Sequence, residues 1–440
     1  MKQQILVTGP VKTRSGYGNH ARDICRALIE LDKYDILINS VRWGNTPMNA
    51  LEDGNEHHEA IKSRLITSPQ LPKQPDLHLH VVVPNEFTPV AKKNIGVTAG
   101  IETTVPVPQW IDGMNRMDLN IVTSEFTKAG FDNAKFEFQD EKTGQKGTVK
   151  TLKPMEVLFE GVDTTEYFET LEMDNDISGA FSNVDDDWNF LFTGHWLAGG
   201  VGEDRKDIGM LIKIFCETFK NQKKQPGLIL KTSSASFSVL DREEMLNKIR
   251  NVKNSIAGDL PKIYLLHGDL TDSQMNQLYN HPKVKAHVSF THGEGFGRPL
   301  LEACQSGKPV IASGWSGHVD FLNSNYAVLL GGSLTKVPKN SFPKEMLFEE
   351  SQWFTVNYQQ ASQVILDVFK NYSKYLVKAK QLQLYTKNTF SFEKMKYKLD
   401  DIVTNVLADI PQEVGLKLPK LNKVNTDTSP KLELPKLKKA

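Results

Sequence analysis

Cysteine is scarce. Cys25, Cys216 and Cys304 are the only three in 440 residues, scattered through apolar patterns of helical spacing, so they build neither a disulfide framework nor a thiolate metal site. A reducing cytosol is the expected compartment. No apolar run approaches the roughly 18 residues a membrane span requires, and Met1 to Val7 lead into a strand pattern without the apolar centre of a signal segment. The expectation is a soluble, cytoplasmic protein. Net charge is missing too: 53 basic and 53 acidic side chains cancel, which removes any global attraction to nucleic acid or to an anionic membrane.

What is present is length and alternation. A chain of 440 residues exceeds what one core comfortably organises, so two domains are expected. Ile5-Leu6-Val7 is followed by a loop, Thr8 to Gly18, and then by Ala21, Ile24, Cys25, Leu28 and Ile29 at helical spacing, a β-loop-α unit. Strand patterns recur at 35–39, 77–83, 188–194, 228–232, 263–268, 286–288 and 310–312, with helical stretches between them. The pattern predicts two doubly wound parallel sheets. His78 and His80 point to one sheet face, but no third ligand stands near them in sequence, and a metal is not expected there.

The chain is organised around Ser289 to Ala303, which reads as strand end, glycine loop and helix start. Pro299 suits a first helical position, and Gly307-Lys308-Pro309 supplies the stop, so a short helix over about 299–306 is bracketed. Gly293, Gly295 and Gly297 would let an anionic ligand approach the loop and the helix N-terminus. Glu294 and Glu302 frame it with carboxylates that accept from hydroxyl groups. A glycine loop alone also reads as a tight turn, and the Rossmann fingerprint is not matched, because Arg298-Pro299-Leu300 follows Gly297.

The Glu-x7-Glu spacing inside Glu-Gly-Phe-Gly-x-Pro-Leu-Leu-Glu-Ala resembles the donor signature of family 4, or group 1, glycosyltransferases. The resemblance extends over roughly residues 1 to 410 and implies the GT-B fold, two Rossmann-like domains facing across a cleft. It implies residues 1–163 as an acceptor domain, 164–390 as a nucleotide-sugar donor domain, and 391–410 as a helix crossing back to the first. In this scheme Glu294 holds the donor sugar's hydroxyls, Glu302 the ribose, and Gly295, Phe296 and Gly297 give backbone contacts. Arg205 and Lys206, at a helix entrance, neutralise the leaving diphosphate. The family's arginine after the Gly-x strand is absent, since His195 follows Gly194, and Arg205 is expected to substitute.

In the first domain Ser15-Gly16-Tyr17-Gly18 resembles the family's cleft-facing glycine loop, with Gly16 expected to touch the donor. The stretch Thr98 to Thr104, with Trp110 and Ile121 to Phe126 after it, resembles a branch associated with phage-encoded enzymes, and implies Glu102 and Trp110 at the acceptor. Glu102 is also a candidate for assisting acceptor deprotonation. Residues 132–156 predict a small hairpin, and Glu160-Gly161-Val162-Asp163 resembles the exit from the first domain with Glu160 replacing the usual asparagine. The acidic stretch Glu172 to Asp187 is expected as a surface connection, and the Lys- and Pro-rich residues 411–440 as a disordered tail.

The expected activity is transfer of a sugar, with retention implied by the resemblance alone, from a nucleoside diphosphate, UDP or GDP, to a hydroxyl acceptor. No other cofactor and no metal is called for, since no Asp-x-Asp motif stands beside Arg205 and Lys206. A saccharide acceptor is favoured; a hydroxymethylated DNA base is the alternative, supported by the lysines of the tail. An epimerase acting on the nucleotide-sugar, or a non-catalytic binding protein, would use the same donor site.

Overall fold

The structure is a computed structural model that describes residues 2–68, 70–139, 144–197, 199–234, 237–342 and 344–410. The expected tail lies outside them. In the first half, β1 (Gln4–Gly9), β2 (Asp35–Ser40), β3 (Leu77–Val81), β4 (Lys93–Thr98) and β5 (Leu119–Val122) are connected through α1 (Gly16–Leu31), α2 (Glu56–Lys62) and α3 (Pro108–Asn115). After α4 (Glu125–Asn133) the chain forms an antiparallel hairpin, β6 (Lys135–Gln139) and β7 (Lys146–Lys150), before β8 (Met155–Val157) rejoins the sheet. The parallel order is β2-β1-β3-β4-β5-β8.

The second half repeats the plan. Beyond α5 (Asn175–Phe181), the strands are β9 (Asn189–Thr193), β10 (Gly227–Lys231), β11 (Ile263–Leu266), β12 (Val284–Ser289), β13 (Val310–Ser313) and β14 (Val328–Leu330). Between them run α6 (Ile208–Phe219), α7 (Val239–Asn254), α8 (Asp272–Asn280) and α9 (Arg298–Cys304). The order is β11-β10-β9-β12-β13-β14. A hairpin of β15 (Gly332–Lys336) and β16 (Gln352–Val356) follows, then α10 (Tyr358–Lys370), α11 (Tyr372–Thr389) and α12 (Phe392–Ala408).

Both sheets reverse direction of growth beside their first strand, at β1 and at β9. In open α/β sheets ligands bind outside the carboxyl ends of the strands at such switch points. The loops after β1 and β12 are therefore where a site belongs.

Local chemistry explains the helices that carry those loops. Ser15 caps α1 by accepting from the Gly18 N–H at 3.0 Å, and the apolar stripe of Ala21, Ile24, Cys25 and Leu28 is fully buried. Ser391 caps α12, whose Met395, Leu399, Ile402 and Val403 enter the same core as α1 and the strand residues Ile5 and Val7. Full burial of one such side chain is worth roughly 1.5–3 kcal/mol, which fastens the last helix to the first domain. The acidic stretch 172–187 differs from the expected plain connection. Ile177 and Phe181, four apart, form an apolar helix face on α5, and Phe181 stacks on His281 with centroids 3.5 Å apart.

The other face of the first sheet mixes polar side chains with the apolar cluster around Phe87 and Val122. His78 and His80 lie 5.0 Å apart between ring centroids, beside Thr8 and Asn39, and border a cavity of about 390 Å³. Among the described residues no group of three or more His, Cys, Asp or Glu side chains could hold a metal ion. No helix of the described residues is long and apolar enough to cross a membrane.

Candidate active site

The glycine loop leaves β12 at Ser289 and enters α9 through Gly297, whose φ of 96° is left-handed backbone that a side chain strains. Glu294 within it is 7% exposed. Its carboxylate accepts from Lys206 Nζ and, at 3.3 Å, from Arg205 Nη1. Arg205 also donates to the Gly293 carbonyl at 2.8 Å and pairs at 3.3 Å with Glu102 of the first domain. Two cations and two carboxylates, drawn from both halves of the chain, thus meet in one cluster.

The cations are fixed by the start of α6. Asp207 adopts a left-handed φ of 53°, and the Asp204 carboxylate accepts from the Ile208 N–H at 3.1 Å. Arg205 and Lys206 are held between these two acids. Burial alone would push the Glu294 carboxyl up, but Lys206 and Arg205 bring it down to about 2. Burial also opposes the charge of Arg205, yet Glu102 and Glu294 hold its pKa above the ordinary value.

Glu302 faces a different environment one turn into α9. It is 6% exposed, accepts from Arg298 Nε at 2.9 Å and from the Tyr279 hydroxyl at 3.3 Å, and burial raises its pKa to about 7 despite Arg298. Arg298 extends further, to Asp23 on α1, an ion pair that crosses between the domains. Glu160, 6% exposed, lies in the same electrostatic group, and burial, opposed by Arg298 and reinforced by Asp23 and Glu302, raises it to about 8.

The glycines of the loop have a neighbour that the sequence did not suggest. A Cβ at Gly293 would meet the Glu102 carbonyl oxygen at 2.5 Å, and one at Gly295 the Ala99 carbonyl oxygen at 2.5 Å. Their bareness lets the first domain's backbone approach, a use of these glycines beyond the expected clearance for a ligand. Ser124 and Thr123 hydroxyls donate to the Gly295 carbonyl at 2.6 and 3.2 Å, which closes the contact.

Other expected residues divide. Gly16 opens α1 on an exposed turn, and a Cβ there would meet nothing within 4 Å. Phe296 is 2% exposed and tilted on Phe321 at 5.1 Å, so its ring is core and only its backbone can face a ligand. Trp110 is a correction. At 2% exposure it packs in the first domain's core with Phe87, Ile111 and Met114, because Pro108 starts α3 in a register that turns the indole inward. Sequence reasoning passed over Arg298 and Asp23, for which the only signal was a charge at the open position of the motif. It also passed over Trp43, which stacks on Tyr17 at a centroid distance of 4.2 Å.

Residues 252–340 match the profile of the glycosyl transferases group 1 family. No curated protein sequence matches the chain. Among solved structures, HepE of Anabaena, in complex with UDP and glucose, superposes with a TM-score of 0.58 at 14% identity, covering 92% of this chain and all of the other (100%). Sucrose-phosphate synthase from Thermosynechococcus elongatus gives 0.61 at 13% identity, with 92% and 100% covered. An Escherichia coli protein of trehalose-6-phosphate chemistry, bound with UDP-2-fluoro glucose, gives 0.57 at 10% identity, with 93% and 100% covered. At such identities the superpositions speak for the fold, and the profile for the stretch that carries the motif. The chain has the GT-B fold, and within its second half residues 252–340 are similar to the group 1 glycosyltransferases.

Proposed function

We propose that the protein is a retaining glycosyltransferase that moves a sugar from a nucleoside diphosphate to a saccharide hydroxyl across the cleft. One observation carries this reading: Lys206, Arg205, Glu294 and Glu102 converge where the two domains meet. Cations there stabilise the charge that grows on a departing diphosphate. Carboxylates accept hydrogen bonds from sugar hydroxyls. The similar HepE structures hold UDP and glucose or UDP-glucose, which favours UDP-glucose as the first donor to try.

In this scheme the bond from the sugar's anomeric carbon to the diphosphate oxygen breaks, and its electron pair leaves with the phosphate between Arg205 and Lys206. The acceptor hydroxyl forms the new bond to that carbon. Glu102 accepts a hydrogen bond from the hydroxyl and assists loss of its proton. Glu294 orients the donor sugar, Glu302 the ribose, and the backbone at Gly16, Gly295, Phe296 and Gly297 the remainder. Retention rests on the family resemblance. With two cations facing the diphosphate, a divalent metal is dispensable, and turnover is expected to survive EDTA; a rate that collapses in chelator and returns with manganese would contradict this.

Labelled nucleotide-sugars incubated with the protein, alone and with acceptors, test the proposal. Product that requires a saccharide supports it. A changed sugar on the nucleotide without any acceptor marks an epimerase, an unaltered bound donor marks a binding protein, and a sugar adduct on hydroxymethylated DNA marks the base-modifying alternative; each would overturn the reading.

A further inference from the structure

With Trp110 buried, the expected acceptor domain lacks its aromatic contact, and a different pair stands at its edge. Tyr17 lies in the first turn of α1 and Trp43 in the loop after β2, so both follow carboxyl ends of the parallel sheet. Their rings stack with 25° between planes. The loop bearing Trp43 is tied to the loop after β1: the Val41 N–H donates to the Gly9 carbonyl at 3.1 Å and the Ala50 N–H to the Lys12 carbonyl at 3.0 Å. A turn closed by the Thr46 N–H on the Trp43 carbonyl, at 3.1 Å, sets the indole.

Tyr17 is held equally firmly. Its phenol oxygen accepts from the Ala99 N–H at 3.1 Å and bonds the Thr98 hydroxyl at 2.9 Å. Neither ring has much freedom left to lose when a ligand arrives, which is what makes Tyr and Trp efficient contact surfaces. Trp43, half-buried, packs against the cluster that holds Ile101, next to Glu102. The carboxylates of Glu102 and Glu160 face Tyr17 closely enough to act on it electrostatically.

We infer that the Tyr17 and Trp43 pair is the platform on which a sugar ring of the acceptor lies, with its hydroxyls directed toward Glu102. The inference rests on reading the cleft as a glycosyltransferase site. A sugar ring offers an apolar C–H face to an indole and hydroxyl donors to carboxylates, so this combination suits it on both sides. A nucleobase would also stack. Its strand, however, would bring phosphates toward Glu102, and like charges at short range repel.

The test is saturation-transfer NMR with glucose, maltose and sucrose, and with a hydroxymethylcytosine oligonucleotide, on the full chain. Trp43→Leu keeps apolar volume without the π-face, and Trp43→Phe keeps a ring; thermal melting confirms that each is folded. Saturation of sugar ring protons in the wild type, at least tenfold weaker in Trp43→Leu and largely restored in Trp43→Phe, is the expected result. Equal saturation in wild type and Trp43→Leu, no saccharide signal at all, or binding of the oligonucleotide alone overturns the inference. UDP-glucose binding by calorimetry is measured separately: its failure would remove the donor reading and leave the answer about the platform intact.

Discussion

The two walls of the cleft are built differently. On the second domain's side, Glu294 and Glu302 are nearly buried and each is bound to cations, on a loop and helix that follow directly from a parallel strand. On the first domain's side, Glu102 keeps 24% side-chain exposure, and the aromatic surface comes from a loop tied to its neighbours by backbone bonds. The buried wall is organised by charge and, in the proposed function, meets a ligand of fixed chemistry. The open wall is organised by packing and can be altered by changing a loop. A donor site shared by many enzymes and an acceptor site particular to one would be expected to divide in this way.

The largest expected effect comes from removing a cation from the buried wall. Lys206→Met keeps the apolar stem and deletes the charge, and loss of one preorganised group facing developing charge costs on the order of 10²–10³ in kcat. Turnover measured at saturating donor and acceptor checks this. Because Lys206 is 13% exposed and paired with Glu294, the melting temperature should also fall, with Arg205 limiting the loss. Unchanged kcat would mean that the two cations serve structure only.

Gly295→Ala tests the join between the walls. The added methyl would sit 2.5 Å from the Ala99 carbonyl oxygen and 3.0 Å from its Cβ, so the domains must part. Small-angle scattering without any ligand should show a larger radius of gyration, and activity should fall by about tenfold or more, since misplacement of about an ångström is costly to catalysis. An unchanged radius together with weakened donor binding would show that the glycine's clearance serves the ligand and not the join.

A smaller effect is expected at Glu160. Its folded pKa, about 8, lies above the ordinary 4.5, so the folded protein binds the extra proton between those values and loses stability as pH rises through the window. Glu160→Gln should remove that loss. Thermal melting is expected to show the variant gaining at pH 8 relative to wild type, by roughly 1–3 kcal/mol, with little gain at pH 5. A gain independent of pH would assign the effect to packing.

Much of this was legible in the sequence, and the reasons for the remainder are physical. Strand and helix alternation implies two parallel sheets because each strand's apolar run and each helix's stripe must be covered. The motif from Ser289 to Ala303 is legible because glycine, proline and carboxylate each occupy a position set by backbone geometry. The partner of Gly295 was not, since nothing local distinguishes a glycine cleared for a ligand from one cleared for Ala99. Trp110 and Trp43 show the same limit. Both stand near a strand end, and only the register of α3 against its core turns one indole inward. Arg298 reads as a solvated helix charge until Asp23, 275 residues away, is brought beside it.

The central claim is that Glu302 and its neighbours hold a nucleotide-sugar. Isothermal calorimetry of UDP-glucose with wild type and Glu302→Gln at pH 8, where a carboxyl titrating near 7 is mostly ionised, tests it most directly. The loss of a charge-assisted hydrogen bond is worth about 1.5–3 kcal/mol, roughly ten- to hundredfold in affinity. The account predicts a measurable wild-type affinity that weakens by that factor in the variant. Equal affinity in both proteins would contradict it.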